Sequence, residues 1–494
     1  MTPSRAITVL LFLAGIVWTA VLRPDAPVAS HSAGSSDITA FVGVGVLPMD
    51  DSELRHHDWT VVVEGRRIAA AGPRDQVPVA DGAYVIEGGG RWLLPGLAEM
   101  HAHIPDPRGV GEAQMTDLLF LYLAQGVTTI RSMLGAPGHP EFRSALDQGD
   151  PLGPNLVAAS PSLSGESTPD PEAAADQVRA AASDGFDLLK LHPGLSRESY
   201  DAMVRTARAE RITWAGHLSR DVPLEHALET GISTIDHLDG FLEAVASVSV
   251  QERLAAGEAV PLAEVVESAT SERIRQVART TRDHGVWNVP TLHLWETFYG
   301  DSGAEELAER PELRYVHSAL RDHWVLLHRE RHFVALLEGW RTDGMLGAAD
   351  VPPEAGQALV ELRREVLRAL HDAGAPLLLG TDSPQLFMVP GFATHREIAL
   401  WTEVGIPAKA ILEAATRNVG VHAAEDLGQD EPFGTVTVGS RADLLLVDDD
   451  PLDHLDTLRD PAGVMVRGHW LDRERIRGEL DAIAERASGA TGEP

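Results

Sequence analysis

"GLAEMHAH" (residues 96–103) decides how the chain is read. An apolar run ends in two histidines, His101 and His103, with one residue between them. In a strand, residues two apart face the same way, so both imidazoles can reach one point. Before this stretch, "ITAFVGVGVLP", "WTVVVEGRRIAAAG" and "AYVIEGGGRWLLPG" are short β-rich runs divided by Gly and Asp turns. They predict a small antiparallel sheet. After it the pattern changes. Short apolar runs ("GVTTIRSM", "NLVAASPS", "FDLLKLH", "ITWAGHL", "STIDHL", "VWNVPTLH", "PLLLGTDS") alternate with amphipathic stretches such as "PEAAADQVRAAASDG" and "SYDAMVRTARAER". Repeated strand–helix units of this kind predict an α/β fold, a (β/α)8 TIM barrel. Counting "GLAEMHAH" as the first strand gives eight.

One connection is longer than a crossover needs. From residue 296 to about 370 the chain is rich in Arg and Glu and includes "HSALRDHWVLLHRERHFVALLEGWR". This predicts a helical insertion over the barrel mouth after strand seven, about residues 297–368. Beyond the eighth strand, "GTVTVGSRADLLLVDDDP" and "GVMVRGHWL" return to strand character. The expected division is a leader or anchor with linker at 1–36 and a small β-sandwich domain begun at 37–94. The barrel follows at 95–432, the second part of the small domain at 433–480, and a tail at 481–494.

The leader holds Arg5, an uncharged apolar run at residues 6–22, and then Arg23. It reads as a secretory signal, with Val28, Ala29 and Ser30 as small residues near a cleavage point. The alternative is an uncleaved anchor through residues 6–22, near the lower length limit for spanning a bilayer. Both place the catalytic part outside the cytoplasm, secreted or extracytoplasmic, with membrane contact only through this segment. The 494 residues carry a net charge of 41 − 74 = −33. That argues against nucleic acid as a partner, since phosphate binding needs a basic surface. Self-association into a homo-oligomer is left open. There is no cysteine, hence no disulfide, thiol nucleophile or thiolate metal site. A metal must then be held by His, Asp, Glu or a modified side chain.

Active sites of such barrels gather at the C-terminal strand ends. Those ends carry His101 and His103, then Lys190, His217, His237 and Asp382. Singly each has a bland reading: a strand-end histidine packs as core, and a Thr-Asp pair caps a helix. Falling at successive strand ends, they form a metal constellation. Lys190 is one of only two lysines, with Lys409, and it sits inside the apolar run "DLLKLH".

"LLPGLAEMHAH", Lys190, Gly216 with His217, Asp236 with His237, and "GTDS" resemble the amidohydrolase superfamily. "THREIALWTEVGIPAKAILEAATRNVGVHAAEDLG" and "FGTVTVGSRADLLLVDDDPL" are similar to its imidazolonepropionase-like and Xaa-Pro dipeptidase-like branch. The resemblance covers nearly all of residues 40–470. Glu99 stands where Asp is usual, and Arg131 with Ser132 where "RD" is frequent. The resemblance implies a binuclear metal-dependent hydrolase, with zinc or a similar ion. His101, His103 and Asp382 would bind the more buried ion, and His217 and His237 the second. Lys190, carboxylated by CO2, would bridge the two as a carbamate. An ammonium between two cations would be repelled, whereas a buried lysine loses its proton more easily and can attack CO2. Arginine cannot.

Two metals ~3.5–4 Å apart would share a bridging hydroxide that attacks the substrate carbonyl. Asp382 would take its proton and pass it to the leaving group. Candidate substrate or oxyanion contacts are Arg131, His192, His293 and Tyr299, with Arg131 suited either to a substrate carboxylate or to a structural salt bridge within the barrel. The expected substrate is a small molecule, a dipeptide or N-acyl amino acid. Alternatives are a cyclic amide, lactone or phosphotriester, then a mononuclear deaminase, then a non-catalytic binding protein.

Overall fold

The computed structural model describes residues 38–329 and 353–489. The expected leader and anchor, and residues 330–352 of the expected insertion, lie outside the described residues. No helix among the described residues is long and apolar enough to cross a membrane.

The chain opens with β1 (Ile38–Val46), β2 (His56–Glu64), β3 (Arg67–Pro73), β4 (Tyr84–Glu87) and β5 (Trp92–Pro95). The first three form an antiparallel meander. β4 and then β5 lie parallel along the other edge of β1.

The barrel follows as β6 (Leu97–Ala102), β7 (Val127–Ser132), β8 (Asn155–Ala158), β9 (Leu188–Leu191), β10 (Thr213–Gly216), β11 (Thr234–Asp236) and β12 (Trp287–Val289). β6 to β8 form one parallel sheet and β9 to β12 another. Single bridges, Ala159 to Leu188 and Leu163 to Leu191, join them. The expected eighth strand, "PLLLGTDS", has no ladder of its own. It closes the ring by touching both neighbours: Leu377 bridges to Asn288 of β12, and Ser383 to Ala102 of β6. Met100 N donates to Leu379 O at 2.9 Å and Asp382 N to His101 O at 2.7 Å.

Glu99 braces this closure from inside. Its carboxylate accepts from His101 N (3.1 Å), Thr381 N (2.7 Å), Thr381 Oγ1 (2.8 Å) and Thr394 Oγ1 (3.1 Å). Four donors match the acceptor capacity of one carboxylate. Burial pushes its pKa up to about 8 against those bonds.

The crossover helices form as their sequences dictate. Helix Pro171–Ser183 begins behind Asp170, whose carboxylate accepts from Glu172 N and Ala173 N at 3.0 and 2.9 Å. Proline at its first position suits a helix start. It buries Ala174, Val178 and Ala181, the spacing of one helix face.

The insertion starts at helix Leu292–Tyr299, before the expected residue 297. Glu397 explains the early start: its carboxylate accepts from Leu292 N (2.9 Å) and His293 N (2.6 Å), answering the helix's unpaired amides. Helices Ala304–Ala308, Ser318–Arg329 and Pro353–Ala373 follow. Trp324 and His328 set their rings 5.8 Å from that of Phe387, on the loop after the eighth strand. The insertion thus leans over the C-terminal side of the barrel.

β13 (Leu444–Val447), β14 (Gly463–Val466) and β15 (His469–Asp472) return to the first sheet, β13 pairing with β5. The order reads β15-β14-β13-β5-β1-β2-β3, with β4 also on β1. The small domain is therefore one hydrogen-bonded sheet and not two facing ones. In a flat sheet β15 and β1, four places apart, would stand about 19 Å apart. Yet the Trp470 and Phe41 rings meet at 5.2 Å, so the sheet curls onto itself. Phe41, Val44, Val61, Ile68, Leu444 and Met465 fill the curl.

The expected tail at 481–494 is corrected. Helix Arg473–Ser488 runs through most of it, capped by Asp472 and burying Ile476, Leu480, Ile483 and Ala487. Arg486 anchors it to Asp117 of helix Glu112–Ala124 at 2.7 Å.

Candidate active site

His101, on β6, is fully buried; His103, two residues on, keeps 24% of its side chain exposed. The Nδ1 of His101 lies 2.8 Å from Asp236 Oδ2, which turns Nε2 towards Lys190 Nζ (3.3 Å) and Asp382 Oδ1 (3.6 Å). His217 bonds through Nδ1 to Asp239 Oδ2 at 2.8 Å, and His237 through Nδ1 to Thr291 Oγ1 at 2.9 Å. The same pattern recurs three times: Nδ1 is spent on a neighbour, which assigns Nε2 as the ligand nitrogen.

The rings crowd together. Centroids of His101 and His237 are 4.4 Å apart, His217 and His237 4.5 Å, and His101 and His103 5.5 Å. Burial pushes His101 and His217 well below the ordinary histidine value and His237 down to about 4. Neutral imidazole is the form that ligates metal. Burial also lowers Lys190 to about 8, against the pull of Asp236 and Asp382. For Asp382, burial opposes ionisation, but His103 and His101 outweigh it and hold the carboxyl below the usual range.

The backbone is bent to bring these groups together. His237, Thr291 and Asp382 have φ of +62°, +49° and +72°. Non-glycine residues in such conformations cost about 1–3 kcal/mol each, and they cluster where function demands them. Gly216 has φ +120°, and a Cβ there would meet Leu191 O at 2.7 Å and Lys190 Cδ at 3.1 Å. Gly216→Ala is expected to shift the Lys190 stem and cost at least ~1 kcal/mol. Urea denaturation beside an activity assay checks this; unchanged values in both would refute the cradle.

A metal fits here. The Nε2 of His237 is buried with no hydrogen-bond partner among the described residues. Asp382 Oδ1 lies 2.8 Å from His103 Nε2 but lacks hydrogen-bond alignment with it. A buried, unanswered polar atom costs about 1–3 kcal/mol, which a cation would relieve. Ligand atoms of His101, His237 and Asp382 all lie within 4.8 Å of one another. Neutral imidazoles and a carboxylate without thiolate suit a zinc-like divalent ion. The tightest group joins His237 to His101 and Asp382, whereas the expected partition put it with His217.

The second set of expected residues divides. The His192 ring stands 5.0 Å from that of His217, and burial lowers it to about 3, with Lys190 adding to the shift. Tyr299 is buried and stacks on Trp295 with centroids 6.1 Å apart. His293 is buried in the first turn of the insertion, with Arg310 and Arg396 as its charged neighbours.

Of the two expected roles of Arg131, the structure shows the salt bridge within the barrel. It lies inside the barrel with each nitrogen engaged: Nε donates to Met100 O (2.6 Å), Nη1 to Thr234 Oγ1 (3.0 Å) and Nη2 to Asp236 (3.1 Å). With its nitrogens so engaged, it steadies the carboxylate that holds His101. Arg131→Met would leave Asp236 buried without its cation. The expected loss is about 3–5 kcal/mol of stability, with metal affinity down 10–100-fold at roughly the level of other ligand-holding residues. Denaturant titration and metal-binding assays check both; unchanged metal affinity would refute the relay.

Sequence reasoning missed Asp239 and Thr291 as histidine partners and saw Asp236 only as part of a motif. The signal was present for the acids: "TIDHLDG" flanks His237 with Asp236 and Asp239.

Residues 92–471, more than half of the chain, match the amidohydrolase family. The chain belongs to that family. Imidazolonepropionase of Hyphomonas neptunium is 26% identical over 411 residues, covering 80% of this amidohydrolase and 88% of the relative. Among solved structures, bottromycin amidohydrolase superposes with TM-score 0.66 at 25% identity, covering 93% of this chain and 92% of that one. A Xaa-Pro dipeptidase with bound methionine gives TM-score 0.59 at 17% identity, covering 88% and 100%, a likeness of fold. Family membership makes this a metal-dependent amidohydrolase that acts on carbon–nitrogen bonds of small molecules.

Proposed function

We propose that this amidohydrolase is a binuclear hydrolase cleaving the amide bond of a dipeptide or an N-acyl amino acid. One observation carries the reading: His101, His217 and His237 each spend Nδ1 on a neighbour and surround a buried lysine and aspartate. Donor number supports two ions. A catalytic zinc takes about three protein ligands, and four histidines with Asp382 exceed that. Lys190, as a carbamate, would add two bridging oxygens.

His101, His103, His217, His237 and Asp382 would hold divalent ions, which when bound would supply polarisation of the scissile carbonyl and a water of pKa about 7. Asp382, held as a carboxylate, accepts the proton of the attacking water and returns it to the leaving nitrogen. The amide and one water thereby become an acid and an amine. His192, kept neutral by burial, donates to the carbonyl oxygen as charge develops. The Xaa-Pro dipeptidase likeness points to dipeptides, and the relative's name to an imidazolone as the alternative.

The test is metal content and a hydrolysis screen on the zinc-loaded full chain. The panel holds dipeptides, N-acyl amino acids, an imidazolone, a lactone and a phosphotriester. Two ions per chain with amide cleavage abolished by chelation is the expected result. One ion with deamination, or no ion with ligand binding alone, would sink it.

A further inference from the structure

With Arg131 committed inside the barrel, nothing yet recognises a substrate carboxylate. Arg363 stands out. It sits in helix Pro353–Ala373 of the insertion and is 5% exposed. Its guanidinium carbon lies 3.8 Å from the centroid of the Trp295 ring. Nε is buried and has no hydrogen-bond partner among the described residues. Arg364, whose Nε is likewise buried without a partner among the described residues, differs in that its other nitrogens pair with Glu296, Glu361 and Glu403. Arg363 feels its anionic neighbours, Asp239 and Glu243, only through longer-range attraction, with Tyr299 also close.

Asp239 is the residue that holds His217. Arg363 is therefore attracted to the carboxylate that holds His217. A buried guanidinium without hydrogen-bonding acceptors is costly. Stacked on an indole, it keeps its donor edge in plane for a carboxylate fork. Asp239 and Glu243 balance its charge from a distance but take none of its hydrogens. In a dipeptide or an N-acyl amino acid, a carboxylate lies a few bonds from the scissile carbonyl.

We propose that Arg363 is the specificity residue for the free carboxylate of the substrate, its guanidinium stacked on Trp295 beside the His217–Asp239 pair. This rests on the amino-acid amide reading above and names the feature that selects among such amides.

The test is calorimetric binding to the zinc-loaded full chain. The probes are N-acetyl-L-alanine, N-acetyl-L-leucine and N-acetyl-L-phenylalanine, each against its carboxamide. The wild type is expected to prefer the carboxylate by about 10- to 100-fold, the worth of charge-assisted bonds. In Arg363→Met the two forms are expected to bind alike. Arg363→Lys, which keeps the charge but not the fork, is expected to show a reduced preference and serves if the Met variant does not fold. No preference in the wild type, or no binding of any acid, overturns the proposal. So does a wild-type preference retained in Met or, failing that, in Lys. Equal weakening of acid and amide with loss of metal would make Arg363 a support for Asp239 instead, which also overturns it. Carboxylate preference without amide cleavage anywhere in the hydrolysis screen would sink the amide reading and leave Arg363 standing.

Discussion

Lys190→Ala is expected to lower kcat/KM by at least ~10³-fold, the equivalent of several kcal/mol of metal-assisted stabilisation. It should also cut the metal content of the purified protein. Short carboxylic acids such as acetate or propionate should restore part of the activity by supplying the missing oxygens. The reason lies in where the amine sits. Lys190 is 2% exposed, its nitrogen is 3.3 Å from His101 Nε2, and burial draws its pKa down to about 8. A neutral amine attacks CO2, forming a nitrogen–carbon bond and releasing one proton. The neutral fraction grows as pH rises through 8, so metal-free protein given zinc and the same concentration of dissolved CO2 at each pH should activate faster at pH 8.5 than at 6.5. An Ala variant that kept full activity and metal without added acid would remove the carbamate from the mechanism. So would activation that quickened as pH fell.

The second large effect belongs to Asp382. Asp382→Asn is expected to reduce kcat by about 10²–10⁴-fold, the usual weight of a positioned proton carrier. The amide nitrogen of Asn cannot take a proton from water. The loss should be greatest for alkylamine leaving groups, which need protonation, and smaller for anilides, which need it less. Steady-state kinetics across a leaving-group series reads this directly. An equal loss across the series would mean that Asp382 serves only as a ligand, and an unchanged rate would mean that it serves as neither.

Much of the barrel was legible because its strands are short apolar runs with polar residues at their ends. That signal survives without knowing which strand pairs with which. Orientation did not survive. Arg131 looked like a rim residue because it stands near the end of β7. Which of its neighbours face inward depends on the register with β6, and that register shifts between Glu99 and Ala102. A shift of one residue exchanges the two faces of a strand. The start of the insertion was misplaced because it begins earlier than its composition suggested, at Leu292, and Glu397, 104 residues from His293, sets that start. Arg363 was invisible for want of partners along the chain. Its helix face could be read, but the indole beneath it comes from another helix. The group of His101, His237 and Asp382 was the most legible part, because chemistry restricts the residue types and the fold restricts where they stand.

The eighth segment of the barrel has a final consequence. It carries Asp382, and besides its backbone bonds to both neighbours it is held by the carboxylate of Glu99, which accepts from Thr381 N and Thr381 Oγ1. Glu99 thus ties ring closure to the placement of Asp382, the proposed proton carrier. A molecule whose ring opened there would lose that carboxylate from the centre, and one whose ring stayed closed would keep it aligned. Damage at Glu99 should therefore act on headcount and not on pace. Titration of working sites in Glu99→Ala should find fewer competent molecules, each turning over at the ordinary speed.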